Sequence, residues 1–129
     1  MHPEAIELQV NIIENLEAML DKGQDSALLR YSIGNEYLKA ANPVRASEHL
    51  AEAVRQNPKY SAAWKLYGKA LAADNRWGEA ISAFEQGIAA AQENGDIQAV
   101  KEMRVFLKRI RKTDTEPSQT PAGTRGGTN

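Results

Sequence analysis

Apolar residues along this chain recur every three or four positions in six stretches, and Gly, Pro, Asn or Asp interrupt the stretches. That spacing puts side chains on one face of an α-helix, whereas a half-buried strand alternates every second residue. From Pro3 to Asp21 the row is Ile6, Val10, Ile13, Leu16 and Leu20, widened by Leu8, Ile12 and Met19. Pro3 suits a first helical turn and Gly23 a stop. A second helix is expected from Ser26, a candidate N-cap, to Ala40, and a third from Val44 to Gln56, each followed by an Asn-Pro break. A fourth spans Ser61 to Ala73 and a fifth Trp77 to Glu93. Asp96 caps a sixth, in which Ile97, Val100, Met103, Leu107 and Ile110 share one side. Residues 113–129 carry no large apolar side chain and are rich in Thr, Pro and Gly. Such a segment cannot bury enough surface to offset its ordering entropy, so a disordered tail is expected there.

The helices repeat. Gly34 and Gly68 stand 34 positions apart, as do Ala46 and Ala80, and this is the length of a helix-turn-helix repeat. Residues 27–60 and 61–94 become two copies. The first supplies Gly34, Tyr37, Ala46, Ala53 and Pro58; the second supplies Trp64, Gly68, Ala80 and Phe84, with Gly87 as the small residue. In this register the chain resembles the tetratricopeptide repeat (TPR) family, and small bacterial members of it in particular. It departs at Arg30, where the pattern has Trp, and at Gln92, where it has Pro.

The resemblance implies an all-α fold, a right-handed α-solenoid of about six antiparallel helices. Residues 1–25 would form a lone B-type helix, 27–60 and 61–94 the two repeats, 95–112 an A-type capping helix and 113–129 the tail. Three repeats' worth of helix is about the minimum for a stable stack. A glycine inside a helix costs ~1 kcal/mol against alanine, so its use at both equivalent positions points to close helix approach. Gly34 is expected to face Ala46, and Gly68 to face Ala80, with Tyr37, Trp64, Tyr67 and Phe84 filling the flanks.

Composition narrows the chemistry. At 129 residues the chain has room for one domain and a short tail, and its net charge of -1 announces no global affinity for nucleic acid or anionic membrane. It contains no cysteine, which removes disulfides and thiolate sites, and it shows no apolar run long enough to span a bilayer. A cytoplasmic location and the absence of membrane contact are the expectations. His2 and His49 are too distant in sequence to form a local metal motif, and Gly-Thr-Arg-Gly-Gly near the C-terminus lacks the Lys and helix of a phosphate loop. Neither an enzyme, a metal nor a cofactor is indicated. His49 is expected at the surface or between helices.

Function then rests on surfaces. In the resembled family, A-type helices line a concave groove that receives a peptide or a partner helix. Carried over by position, the groove would hold Tyr31, Asn35 and Lys39 from the first repeat, Lys65 and Lys69 from the second, and Lys101 and Lys108 from the last helix. The implied function is a protein-interaction adaptor or scaffold for an acidic or polar segment of another protein. A chaperone-tail clamp is disfavoured, because its positions hold Tyr31, Asn35, Leu66, Gln98 and Glu102, of which Asn35 alone fits. The alternative is a self-assembling structural subunit, a homo-oligomer joined through its ends. Glu4, Glu7, Glu14, Glu17, Asp21 and Asp25 dominate the first 25 residues against Lys22 alone. The last helix carries six cations against Asp96 and Glu102. Nucleic acid is disfavoured even there, since Phe106 is the lone aromatic among those cations.

Overall fold

A computed structural model describes residues 3–115 of the chain, and every regular element in that span is an α-helix. The helices are α1 (Pro3–Asp21), α2 (Ala27–Lys39), α3 (Pro43–Gln56), α4 (Ser61–Ala73), α5 (Trp77–Asn94) and α6 (Ile97–Thr115). α6 therefore runs to residue 115, and the remainder of the expected tail lies outside the described residues. α2 pairs with α3 and α4 with α5; α3 then packs on α4 and α5 on α6, so each hairpin stacks on the next. α2, α4 and α6 also touch in sequence, forming one layer of A-type helices.

The helix ends show how local chemistry sets these turns. Ser26 accepts a hydrogen bond from the Leu29 amide at 3.1 Å, and Asp96 does the same for Ala99 at 3.0 Å, each capping a helix start. Four helices end on a left-handed residue: Gly23, Ala41, Asn75 and Gly95. In each, the next amide reaches back five residues, as in Asn42 to the Tyr37 carbonyl and Arg76 to the Leu71 carbonyl, both 2.9 Å. Ala41 and Asn75 are one repeat apart, so the repeat extends into the backbone of the turn itself. Asn adopts this conformation more readily than Ala, whose Cβ crowds the following carbonyl there.

Phe84, Ile33, Leu50, Leu71 and Met103 are the largest fully buried side chains. The glycines meet these, not the alanines expected from the sequence. A Cβ on Gly34 would lie 2.5 Å from Leu50 Cγ, and one on Gly68 would lie 2.7 Å from Phe84 Cε1. Ala46 and Ala80 are fully buried beside these contacts. The correction has a simple physical reason. Removing a side chain on one helix leaves a notch that a large side chain of its neighbour fills, and small against small would leave a void. Gly87 extends the rule to the capping helix, for its Cβ would lie 2.5 Å from Met103 Sδ and 2.8 Å from Trp64 Cβ.

Alanine at Gly34 or Gly68 should therefore destabilise the protein in urea unfolding by up to about 2 kcal/mol, the overpacking cost of ~1–3 kcal/mol less the propensity gain of ~1 kcal/mol. Equal or greater stability of either variant would remove the close-approach assignment. Ala41→Gly should act oppositely and raise stability by roughly 0.5–1 kcal/mol, since glycine occupies the left-handed region without steric cost. Asn75→Gly, measured alongside, should change less.

Candidate functional site

The A-type layer brings α4 and α6 side chains into direct contact. Lys65 Nζ donates to Glu102 Oε1 at 2.8 Å, and Gln98 Nε2 approaches the same carboxylate at 3.4 Å. One turn further on, Lys69 Nζ stands 5.4 Å from the centroid of the Phe106 ring, a cation–π contact. Phe106 in turn stacks on Phe84 at 5.5 Å, which ties this surface to the core at the Gly68 notch. The Lys65 hydrogen bond holds the Glu102 carboxyl below its ordinary range, so Glu102 is ionised and occupies the lysine.

The other candidates divide between engaged and open groups. Tyr31 is half-buried, with its ring 5.0 Å from Tyr60 and its body against the clusters around Leu50 and Ala53. Asn35 is half-buried on α2, and Lys39 pairs with Glu36 on its own helix at 3.3 Å. Lys101 and Lys108 are exposed on α6 and make no ion pair with another described residue. Lys101 and Lys108 thus face solvent on α6, while Lys65 and Lys69 are engaged. Sequence reasoning placed Glu102 on the face without seeing that it would meet Lys65. The signal was present in the parallel spacing, since Lys65 and Lys69 are one turn apart and so are Glu102 and Phe106.

A second polar constellation, which sequence reasoning missed, joins α1 to the first hairpin. Tyr37 Oη donates to Glu17 Oε2 at 2.7 Å, and Arg45 reaches the same oxygen at 3.4 Å. The Tyr37 ring stacks on His49 at 5.7 Å with the Arg45 guanidinium 5.5 Å from its centroid. His49 lies between the helices and is only 6% exposed. Arg30 Nη1 is 3.3 Å from His49 Nδ1, and a guanidinium can only donate, so Nδ1 accepts and the ring proton sits on Nε2. Nε2 points toward Glu17 Oε2 at 3.7 Å, too far for a hydrogen bond. Arg30 also grips Asp25 through two hydrogen bonds of 2.9 and 3.0 Å, and Gln56 adds a third at 2.9 Å. These bonds lower the Asp25 carboxyl to about 2. Arg30 and His49 sit one repeat before Trp64 and Ala83, so a polar pair replaces a large and a small apolar one.

Among the described residues there is no cluster of His, Asp and Glu that could hold a metal ion, and no helix long and apolar enough to cross a membrane. The arrangement is that of stacked helical hairpins with an outward layer of A-type helices. Residues 31–95 match the family model described as tetratricopeptide repeat. A TPR repeat-containing protein of Pseudomonas aeruginosa is 52% identical over 104 residues, covering 81% of this chain and 99% of that protein. A protein of Bordetella parapertussis with a solution structure is 40% identical with a TM-score of 0.70, over 88% of this chain and 97% of the other. The Sgt2 TPR domain of Aspergillus fumigatus reaches a TM-score of 0.76 at 21% identity, over 98% of this chain and 81% of that one, a likeness of fold alone. The chain belongs to the tetratricopeptide repeat family. The fold is one that generally mediates protein–protein interaction.

Burial pushes the His49 ring below its ordinary pKa, and Arg30 and Arg45 add to this against the opposing fields of Glu17 and Glu48. The unfolded chain takes up this proton near ~6.5. Folding thus disfavours protonation: the stabilising contribution is complete above that value and is lost as pH falls through the lower folded pKa. The melting temperature should decline on acidification below about pH 6.5, and His49→Gln should flatten the decline. Asp25 acts with the same sign but only in more acidic solution, so its effect separates from that of His49. An unchanged profile in the glutamine variant would remove His49 as the source.

Proposed function

We propose that the protein is an adaptor that holds an acidic or polar segment of a partner protein across the face formed by α2, α4 and α6. The observation that carries this reading is the pairing of Lys65 and Lys69 with Glu102 and Phe106, which joins two A-type helices into one continuous surface. Lys69, Lys101 and Lys108 supply cations for a carboxylate, and Phe106 beneath Lys69 supplies apolar contact. Tyr31 and Asn35 extend the surface toward the first repeat. Glu102 is an internal competitor, because a ligand carboxylate can engage Lys65 only by displacing it. Charges on such a face raise the encounter rate and the selectivity for acidic segments, and salt weakens both.

A displayed library of random peptides, selected on the full chain at low salt, should enrich Asp- and Glu-rich sequences. Lys69→Glu combined with Lys101→Glu should weaken the selected peptides tenfold or more. Glu102→Gln should tighten them severalfold by freeing Lys65. Arg55→Glu with Lys59→Glu, on and after α3, should leave binding within twofold. Enrichment with no acidic bias, or full binding by the Lys69 and Lys101 variant, would place the interaction on another surface.

A further inference from the structure

Among the described residues each end of the stack is half of a hairpin. Among the described residues α1 is a B-type helix with no A-type helix before it, and α6 is an A-type helix with no B-type helix after it. Ile12, Leu16 and Met19 stand one repeat before Ala46, Leu50 and Ala53, the side of α3 that closes on α2. On α1 Ile12 and Leu16 are half-buried, whereas Met19 is 41% exposed and Leu8, one turn before Ile12, is 62% exposed. Leu8 and Ile12 border a cavity of about 290 Å³ shared with Glu36 of α2. At the far end Ile97 is 68% exposed, and it lines a cavity of about 280 Å³ with Val100 and Arg104.

We propose that these two faces bind each other, α6 of one copy packing antiparallel on α1 of the next. Charge selects this pairing over the symmetric ones. Between Pro3 and Asp21 α1 carries Glu4, Glu7, Glu14, Glu17 and Asp21 and no cation, with Glu14 beside Tyr37 on the flank across from Leu8, while Lys101, Arg104 and Lys108 stand around the open side of α6; the attraction is between the fields of whole helices. Two α1 ends, or two α6 ends, would set like charges against each other. Unlike ends attract and also cover Leu8 and Met19 with Ile97. Arg104 lies 36 positions after Gly68, which is one repeat plus the two residues of the longer α5–α6 connection. An arginine therefore stands where the internal hairpins have glycine. The joint between copies closes less tightly than those within a copy and leans on charge, which makes it reversible and salt-sensitive. Because the two faces differ, the contact is heterologous and propagates head to tail until a ring closes.

Sedimentation equilibrium of the full chain tests this. The average mass should rise with concentration, and the association constant should fall at least tenfold between low and high salt. Leu8→Lys with Met19→Lys blocks one end, and Ile97→Glu with Arg104→Glu blocks the other. All four positions are exposed, so each variant should stay folded. Each should be monomeric alone, and an equimolar mixture should form dimers and nothing larger, since one intact face of each kind remains. Lys69→Glu should associate like the unaltered chain, which separates this surface from the peptide-binding face. A constant monomer mass at every concentration would overturn the proposal. So would assembly of either blocked variant alone, a mixture that stays monomeric, or loss of association in the Lys69 variant.

Discussion

The close approach of two helix backbones at Gly34 and Gly68 is the constraint on which the stack depends. Where α2 and α4 have no side chain, Leu50 and Phe84 enter, and both are fully buried. A large residue in a notch fixes the sliding position of one helix along another as well as their separation, because displacement by one residue sets Cβ against the ring. That fixes each hairpin. Phe84 then carries the geometry outward, since its ring stacks on Phe106 of α6, and Phe106 lies beneath Lys69. The surface formed by Lys69 and Phe106 is thus two contacts from the glycine that sets the hairpin.

The two repeats solve the same packing problem with different chemistry. In the second, Trp64 packs against Gly87 and donates its indole N–H to the Pro58 carbonyl at 2.8 Å. In the first, Arg30 stands at the tryptophan position and spans from Asp25 to His49. The difference follows from what lies beneath each. The second repeat is covered on both sides by full hairpin and capping helix, so apolar burial is available. The first is covered by α1, of which Ile13 alone is counted among the buried hydrophobics. With little apolar surface to share, α1 is held through Glu17, which takes Tyr37 and faces Arg45 and His49. A hydrogen-bonded carboxylate fixes orientation more than it adds free energy, and it leaves the joint responsive to pH.

The helices and their repeat were legible because period-3.6 burial and the glycine spacing are properties of the chain in order. The partners of Gly34 and Gly68 were not. A sequence pattern places residues on a face but does not state which of two residues one turn apart, Ala46 or Leu50, occupies the crossing. The same limit applied to the site. Position by position, the lysines were assigned to A-type helices, but whether each stays open depends on its neighbour in the adjacent helix. Glu102 binds Lys65, and no acidic side chain among the described residues pairs with Lys101 or Lys108. The Glu17 junction was hidden for a related reason: its members come from three helices and follow no repeat, since the second repeat has Leu71 and Ala83 where the first has Tyr37 and His49.

The distribution of charge links the fold to what it can bind. A chain with net charge -1 has no overall field to recruit an anionic partner, so any selectivity must come from local separation of charges. The solenoid provides it by keeping sequence-distant segments apart: α1 and α6 form opposite ends, and neither can neutralise the other within one molecule. Their charges are therefore presented outward. Cations of α6 lie along the edge of the α4–α6 face, while Glu102 within the face lowers its charge. The proposed peptide face and the proposed joint between copies draw on the same basic helix, and Lys101 and Lys108 stand at the edge the two surfaces share.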